Sequence, residues 1–290
     1  MNHKYNSLIS NNYIHKPSPF SGRNLTRAKI LWLSDLHLFS ALQQPTKQTF
    51  FLQTLGKRDF DHIVVTGDIS SADYLEDSLL ALSEAAGHRS VFFVLGNHEF
   101  HGSSFSAVDN LVAQICRQRP NLHHLGQGEI IRLTYKSALI GQRGWADGKS
   151  GDGRNTIVRP KYPNYIEDFR GYSTEDVFSK MAFLGEASGD YFRKIIAEAF
   201  DQYEHLVVAT HVPPFAKAVQ HGNNPCSNQH LPYFANSSAG RPIQESLLKL
   251  PGRKISVLCG HTHTSTVYDD SPALRVHVAD CKWLELLEID

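Results

Sequence analysis

The chain has 290 residues, and its 29 Lys plus Arg balance 29 Asp plus Glu, so the formal net charge at pH 7 is zero. A chain of this length can bury a substantial core, either as one large domain or as two small ones. The balanced charge excludes a global electrostatic field that would draw the protein to nucleic acid or to an anionic membrane.

The N-terminal segment, residues 1–28, carries Asn, Ser, Pro and Gly without periodicity, which predicts a flexible extension or a strap on the surface. It lacks the apolar core of a signal peptide, and no apolar run approaches the roughly 18 residues that a membrane helix needs. The cysteines have no CxxC spacing, and we interpret them as reduced, mostly buried thiols. They are Cys116, Cys226, Cys259 and Cys281. We therefore expect a cytoplasmic protein without a membrane segment.

Five short apolar runs follow, and each ends abruptly in a polar cluster. The runs are residues 28–33, 62–66, 90–95, 205–209 and 254–259. Continuous runs of Val, Ile, Leu and Phe are typical of strands that are buried on both faces. The clusters that follow them are Ser34-Asp35-Leu36-His37, Gly67-Asp68, Gly96-Asn97-His98-Glu99, Thr210-His211 and Gly260-His261-Thr262-His263. Open α/β sheets bind ligands beyond the carboxyl ends of their strands, so we expect these clusters to meet.

The segments between the runs complete the predicted domain, which covers residues 29–290. Apolar residues at three-to-four spacing predict helices at residues 46–55, 74–86, 104–118, 191–203 and 242–250. Two polar, Gly-rich stretches, residues 141–188 and 213–241, predict long loops, and we expect the first of them to set specificity. Near the C terminus, residues 273–278 and 283–288 alternate between apolar and polar, which predicts a closing antiparallel pair.

The polar clusters contain the donor groups that a pair of divalent metal ions requires. These donors are the carboxylates of Asp35 and Asp68, the amide of Asn97, and the imidazoles of His37, His211, His261 and His263. Two such ions about 3.5–4 Å apart make hydroxide from water near neutral pH and neutralise the phosphoryl oxygens of an ester. Imidazole and oxygen ligands suit Mn, Fe and Zn. We expect two divalent metal ions, with Mn as the first choice and Fe or Zn as alternatives.

The ordered motifs DxH, GD, GNHE, a single His and GHTH, which span residues 35–263, resemble those of the calcineurin-like metallophosphoesterases. The resemblance implies an α/β fold: a four-layer α/β/β/α sandwich of two mixed sheets flanked by helices. It also implies that the first metal is bound by Asp35, His37 and His263. The second metal would be bound by Asn97, His211 and His261, with Asp68 bridging both. His98 would be the catalytic residue, which either protonates the leaving oxygen or stabilises the pentacoordinate phosphorus, and Glu99 would support the ligands from behind.

Departures from two subfamilies narrow the expected substrate. The stretch from Gly67 to Asp73 lacks the GDxxDRG motif of the protein Ser/Thr phosphatases, and Leu95 stands where those enzymes carry Arg. The lipid A precursor hydrolases place Arg where this chain has His98. Neither of these activities is therefore favoured, and the carboxylate that orients His98 is left open, with Asp73 as a candidate.

The predicted function is metal-dependent hydrolysis of a phosphomonoester or phosphodiester, through a metal-bound hydroxide, on a small phosphorylated molecule such as a nucleotide. A nuclease of the same family is an alternative, which the zero net charge disfavours, and a non-catalytic metal-binding scaffold is another. Arg forks match phosphate and aromatic faces stack on bases, so residues of the long loops are candidates for substrate binding. They are Arg154, His221 and His230, together with Trp145, Tyr162 and Arg170. We assign His101 to the surface, and the sequence indicates no oligomeric state.

Overall fold

The computed structural model describes residues 26–39, 45–281 and 283–290, so the predicted N-terminal extension lies outside the described residues as far as residue 25. Six α-helices, α1 to α6, span Pro45–Gly56, Leu75–Ala86, Phe105–Gln118, Tyr162–Tyr165, Thr174–Phe200 and Ser237–Lys249. Thirteen strands, β1 to β13, span Ala28–Ser34, His62–Thr66, Ser90–Val94, Leu122–His124, Ile131–Arg132, Ser137–Gly141, His205–Ala209, Gln220–His221, Asn224–Pro225, Lys254–Cys259, Thr266–Ser271, Leu274–Val278 and Trp283–Ile289.

The strands form two large mixed sheets and one small hairpin, β8–β9. The first sheet has the order β13-β1-β2-β3-β4, and only the β13–β1 pair is antiparallel. The second has the order β11-β12-β10-β7-β6-β5, with parallel strands in the centre and an antiparallel pair at each edge. The five strands that precede the polar clusters are β1, β2, β3, β7 and β10. Each is parallel to its motif-bearing neighbour, so the clusters emerge at one edge of each sheet.

Three apolar layers hold the sheets and helices together. Leu31 and Leu33 of β1 point to one face, where they pack with α2 and α3. Ile30 and Trp32 point to the other face, where they pack with β7 and β10 of the second sheet. The outer face of the second sheet packs against α5 and α6. Burial on both faces explains the continuous apolar runs, and the order of helices, sheet, sheet, helices confirms the predicted four-layer fold.

The longest helix, α5, corrects two predictions. The helix begins at Thr174, whereas the sequence predicted a helix that starts at residue 191. The predicted loop 141–188 therefore extends no further than residue 173. A capping box starts the helix, because Ser173 and Asp176 each bond the backbone N–H of the other. Inside the helix, a Cβ on Gly185 would collide with Asp147, and one on Gly189 would collide with the carbonyl of Ser238. These glycines permit close packing, and they also obscure the apolar periodicity that would have revealed the helix.

The predicted pairing of the last two strands with each other is wrong. β12 lies parallel to β10 in the second sheet, and β13 lies antiparallel to β1 in the first. Alternation of apolar and polar residues identifies a strand, but it carries no information about the strand's partner. Over the described ranges, no helix is both long enough and apolar enough to cross a membrane.

Candidate metal centre

The backbone of the strand-end loops turns sharply to direct the side chains of the predicted ligands. Residues with positive φ in these loops are Asp35, His37, Asp68, His261 and His263, with φ between 45° and 72°. Left-handed backbone costs on the order of 1–3 kcal/mol at a residue other than Gly, and it persists only where surrounding bonds fix it. Here the N–H of His37 bonds the carbonyl of Asp68 at 2.9 Å, and the N–H of Asp35 bonds that of Gly67 at 3.1 Å. Neighbouring loops therefore hold each other in place.

Glycine precedes three of the predicted ligands because no side chain fits there. A Cβ on Gly67, whose φ is +88°, would lie 2.6 Å from Nδ1 of His211. One on Gly96 would collide with the Asp68 carboxylate, and one on Gly260 would collide with that of Asp35. The Gly in GD, GN and GH thus lets adjacent loops approach until their donor atoms meet.

A first cluster of donors joins residues from both sheets. The carboxylate of Asp35 is fully buried and accepts a bond from the hydroxyl of Ser34 at 2.6 Å. Its Oδ1 lies 3.3 Å from Nε2 of His263, which lies 3.2 Å from Nε2 of His37. Donor atoms of Asp35, His37, Asp68 and His263 all lie within 4.8 Å of one another. This arrangement can hold one divalent ion.

A second cluster lies on the other side of Asp68. Donor atoms of Asp68, His211 and His261 lie within 4.8 Å of one another. Nδ1 of His211 donates to the carbonyl of Thr66 at 2.8 Å, and Nε2 of His261 donates to that of Tyr233 at 2.9 Å. These bonds fix the tautomer of each ring. The remaining ring nitrogens, Nε2 of His211 and Nδ1 of His261, lie 3.2 Å apart and are available to a metal.

The carboxylate of Asp68 faces both clusters at once. Its Oδ1 lies 3.3 Å from Nε2 of His211, and its Oδ2 lies 3.9 Å from Nε2 of His37. Asn97 follows Gly96, where a Cβ would lie 2.8 Å from Cε1 of His211, and its Oδ1 is buried without a hydrogen-bond partner among the described residues. A buried carbonyl without a partner is costly unless another group satisfies it. The donor set and this orphaned oxygen fit a pair of divalent metal ions.

The electrostatics of the metal-free site favour the metal-binding forms of His37, His261 and Asp68, whereas His211 holds a proton that a bound ion would displace. Burial lowers the pKa of His37 to about 4, and burial with the charge of His211 lowers that of His261 to about 4. Burial opposes ionisation of Asp68, yet the neighbouring His211 holds its pKa well below the usual range. Burial likewise opposes protonation of His211, whose pKa the Asp68 charge raises to about 10. A neutral imidazole and an ionised carboxylate are the forms that coordinate a cation.

Glu99 holds two of the loops together from beneath. Its carboxyl group is fully buried and accepts bonds from the N–H groups of Gly96 at 2.7 Å, Ser70 at 3.4 Å and Ile69. Burial, with repulsion from Asp68, raises its pKa to about 8. The bonds tie the loop after β3 to the loop after β2, which is the supporting role expected from the sequence.

His98 stands beside the clusters and opens to solvent. Its Nε2 lies 3.8 Å from Oδ2 of Asp68, and its side chain is 39% exposed. The N–H of His98 also bonds Oδ1 of Asp68 at 3.0 Å. The carboxylate next to this ring is therefore Asp68, whereas Asp73 lies on a short 3₁₀ helix, Ala72–Tyr74.

An aromatic surface borders His98; it is formed by His101 and Tyr165 and is named the aromatic shelf. The His101 ring lies 4.3 Å from that of His98, and the Tyr165 ring stacks on His101 at 4.9 Å with 24° between the planes. Tyr165 is 49% exposed. His101 is thus packed against two rings and only partly exposed, so its predicted surface position holds only in part.

Three loop residues predicted to bind substrate have different surroundings. His221 belongs to the β8–β9 hairpin, whose Gly222 N–H bonds the hydroxyl of Thr264 at 3.3 Å, next to His263. Arg154 bonds the hydroxyl of Ser179 on α5 at 3.3 Å. His230 bonds the hydroxyl of Ser227 at 2.9 Å within its own turn. The structure therefore brings the His221 hairpin to the edge of the clusters, while Arg154 contacts α5 and His230 contacts its own turn.

Two aromatic candidates in the 141–188 segment belong to the core. Trp145 is buried and stacks on Phe169 at 5.9 Å, and Tyr162 packs beside both rings. Both were candidates for substrate binding for which a structural role was favoured, and their packing agrees with the structural role. Arg170 is exposed and lies 3.9 Å from Glu167.

Sequence reasoning missed one donor beside the first cluster. Cys281 is exposed, and its Sγ lies within 4.8 Å of the ring nitrogens of His37 and His263. The prediction of mostly buried thiols was wrong, since only Cys259 is buried. No motif marks Cys281, and the one available signal was its place just after the strand β12.

Comparisons with known proteins identify a family for this chain and a solved structure with a similar fold. The family model described as calcineurin-like phosphoesterase matches residues 28–265. A dimetal phosphatase from Danio rerio has a similar fold, with a TM-score of 0.53 and 11% identity over 87% of each chain. A 5'-nucleotidase from Candida albicans gives a TM-score of 0.46 and 12% identity over 89% of this chain and 47% of the other. The bovine "Transmembrane protein with metallophosphoesterase domain" is 30% identical over 95 residues, which are 32% of this chain and 20% of the bovine one.

Proposed function

Because this chain belongs to the calcineurin-like phosphoesterase family, we propose that it hydrolyses phosphate esters of a small molecule with the help of two divalent metal ions. The observation that carries the proposal is the position of Asp68, whose two carboxylate oxygens face two separate groups of imidazoles. A single ion needs only one such group. Paired groups that share a carboxylate match the demands of phosphate ester hydrolysis.

The proposed ligands divide between the two clusters. Asp35, His37 and His263 would hold the first ion, and Asn97, His211 and His261 the second, with Asp68 shared. When bound, the ions would supply a nucleophile from water near neutral pH and neutralise charge on the phosphoryl oxygens. Mn is the proposed metal, with Fe and Zn as alternatives that the same donors accept.

His98 is the proposed proton donor. Its ring is partly exposed beside the shared carboxylate, so Nε2 can reach an ester oxygen that lies over the clusters. The bond from its N–H to Asp68 fixes the start of the loop that carries it. In this role, Nε2 passes a proton to the leaving oxygen as the bond to phosphorus breaks, which prevents the release of an unstable alkoxide.

The aromatic shelf supports a substrate that carries a flat ring, such as a nucleotide. A leaving group whose oxygen lies at His98 would have the ring of His101, and Tyr165 stacked on it, close by. Stacking on an exposed aromatic face recognises a planar ring without dictating its identity.

The proposal also includes the cytoplasmic location predicted from the sequence, which fractionation of the source cells tests.

The experiment compares hydrolysis of nitrophenyl phosphate and bis-nitrophenyl phosphate by metal-stripped protein to which Mn is restored. We expect Mn-dependent hydrolysis, and the preferred ester distinguishes a monoesterase from a diesterase. His98→Ala should lower kcat by about 10²- to 10⁴-fold while two metals stay bound. Asp68→Asn should lose bound metal. His88→Ala, an exposed histidine in the loop before β3, serves as the control. Failure of folded, metal-loaded wild type to hydrolyse either ester would overturn the proposal.

A further inference from the structure

A thiol lies at the edge of the first cluster, where the family motifs provide no residue. Sγ of Cys281 and the ring nitrogens of His37 and His263 all lie within 4.8 Å of one another. In the same cluster, the two imidazole nitrogens lie 3.2 Å apart, a separation suited to two ligands on one ion. A sulfur so close to both nitrogens can reach that ion with a rotation of its side chain.

The fold places Cys281 there for the same reason that it places the other donors. Cys281 follows β12, which is parallel to β10, and Val278 at the end of β12 pairs with Cys259 at the end of β10. The N–H of Ala279 continues this pairing to the carbonyl of Cys259 at 2.8 Å. Cys281 is therefore a strand-end residue beside the loop that carries His261 and His263.

The thiol lies on the open side of the first cluster. Its Sγ lies 3.7 Å from the carbonyl of Asp35, a long and weak contact. The side chain of His263 is 43% exposed, so this side of the cluster is open. Binding would release the thiol proton to solvent and direct a sulfur electron pair to the ion, with no change of oxidation state.

We propose that Cys281 is a further ligand of the first metal ion, and that its thiolate makes this position selective for Zn, Fe or Co, so that Mn, the metal proposed above, belongs to the second position. Thiolate is a soft ligand, and softer ions gain more from it than Mn does. The inference rests on the proposed two-metal function, because it assigns a residue to the first of those ions.

Cobalt substitution tests this assignment without relying on activity. The metal-stripped full-length chain is loaded with Co(II), and its absorption is recorded for wild type, Cys281→Ser and Cys226→Ser. Cys226 is a half-buried cysteine that packs in a separate small cluster with Val219, so it serves as the control. We expect a near-ultraviolet thiolate-to-cobalt band in wild type and in Cys226→Ser, and loss of that band in Cys281→Ser. Visible cobalt bands should persist in all three.

A second measurement follows metal preference. In competition between Zn and Mn, Cys281→Ser should lose selectivity for Zn at the first position by on the order of ten-fold or more. A thiolate band that persists in Cys281→Ser, or visible cobalt bands in wild type without a thiolate band, would overturn the assignment. If wild type shows visible cobalt bands without a thiolate band, hydrolysis of the nitrophenyl esters would leave the proposed function standing. Failure to take up cobalt at all would overturn both, whereas a thiolate band without hydrolysis would keep the ligand and overturn the function.

Discussion

Replacing Gly67 by Ala tests whether the glycines of the motifs are required by contact with the ligands. Gly67 has a φ of +88°, and a Cβ there would lie 2.6 Å from Nδ1 of His211 and 2.7 Å from the N of Gly96. Gly252 has the same φ of +88°, but no atom in the described part of the chain lies within 4 Å of a Cβ placed on it. The pair of variants therefore shares the backbone penalty and differs in the collision.

The magnitudes separate the two effects. Left-handed backbone costs about 1–2 kcal/mol for Ala, so Gly252→Ala should lower the free energy of unfolding by about that amount. Overpacking in a tightly filled site costs about 1–3 kcal/mol more, which gives about 2–5 kcal/mol for Gly67→Ala. Because the collision involves His211, this variant should also bind the second metal more weakly than the control.

Urea unfolding of the metal-free proteins measures both losses. Metal must be removed because an ion that binds only the folded chain adds its own stabilisation. Equal m-values in the variants and wild type would show that the same unfolding reaction is compared. Equal losses for Gly67→Ala and Gly252→Ala, with metal affinity unchanged, would refute the reasoning, since the ring of His211 would then move aside at no cost.

Three further predictions concern residues around the clusters. Glu99→Ala leaves three backbone N–H groups without their acceptor. At about 1 kcal/mol or more for each group, the variant should lower the free energy of unfolding by about 3 kcal/mol or more. Glu99→Gln should lose less. Equal losses of unfolding free energy for Glu99→Ala and Glu99→Gln, measured in urea, would contradict this prediction. Burial lowers the pKa of His124 to about 4, below its usual 6.5, so the unfolded chain takes up the proton first as pH falls. The resulting stability is complete above pH 6.5 and is lost, by up to about 3 kcal/mol, as pH falls toward 4. His124→Leu should flatten the measured slope of unfolding free energy against pH. An unchanged slope would argue against this role of His124. Tyr165→Ala should lower the kcat/KM ratio for phenyl over ethyl phosphate by about 2- to 10-fold, while Tyr135→Ala, an exposed residue between β5 and β6, serves as its control. Parallel losses on both esters would remove the aromatic shelf from substrate recognition.

The sequence predicted the strand-end donors because each of them follows a run with an unambiguous pattern. Asp35 and His211 come directly after buried strands, and parallel strands bring their ends together whatever the order of the sheet. Cys281 could not be found in this way. Its approach to His263 depends on β12 lying beside β10, and strand order is not encoded in the local pattern of apolar residues.

The remaining errors have similar physical causes. Trp145 looked like a loop residue because Gly and Asp surround it, yet its ring packs among others that lie far away in sequence. The first half of α5 was missed because Gly185 and Gly189 serve contacts with other segments and not the helix itself. Local patterns of apolar residues report which positions are buried and whether the segment has the period of a helix or a strand. Tertiary packing decides which residues that break the pattern are tolerated.

The first cluster joins parts of the chain that are far apart in sequence. His37 and His263, whose ring nitrogens lie 3.2 Å apart, are separated by 226 positions. Closing so long a loop is entropically costly and must await the contacts that lie between its ends. We therefore expect the pair to form after both sheets have assembled and docked, so that the proposed first ion site is completed late in folding. A cell short of metal would then contain folded molecules waiting for an ion, and not unfolded chains that need one to collapse.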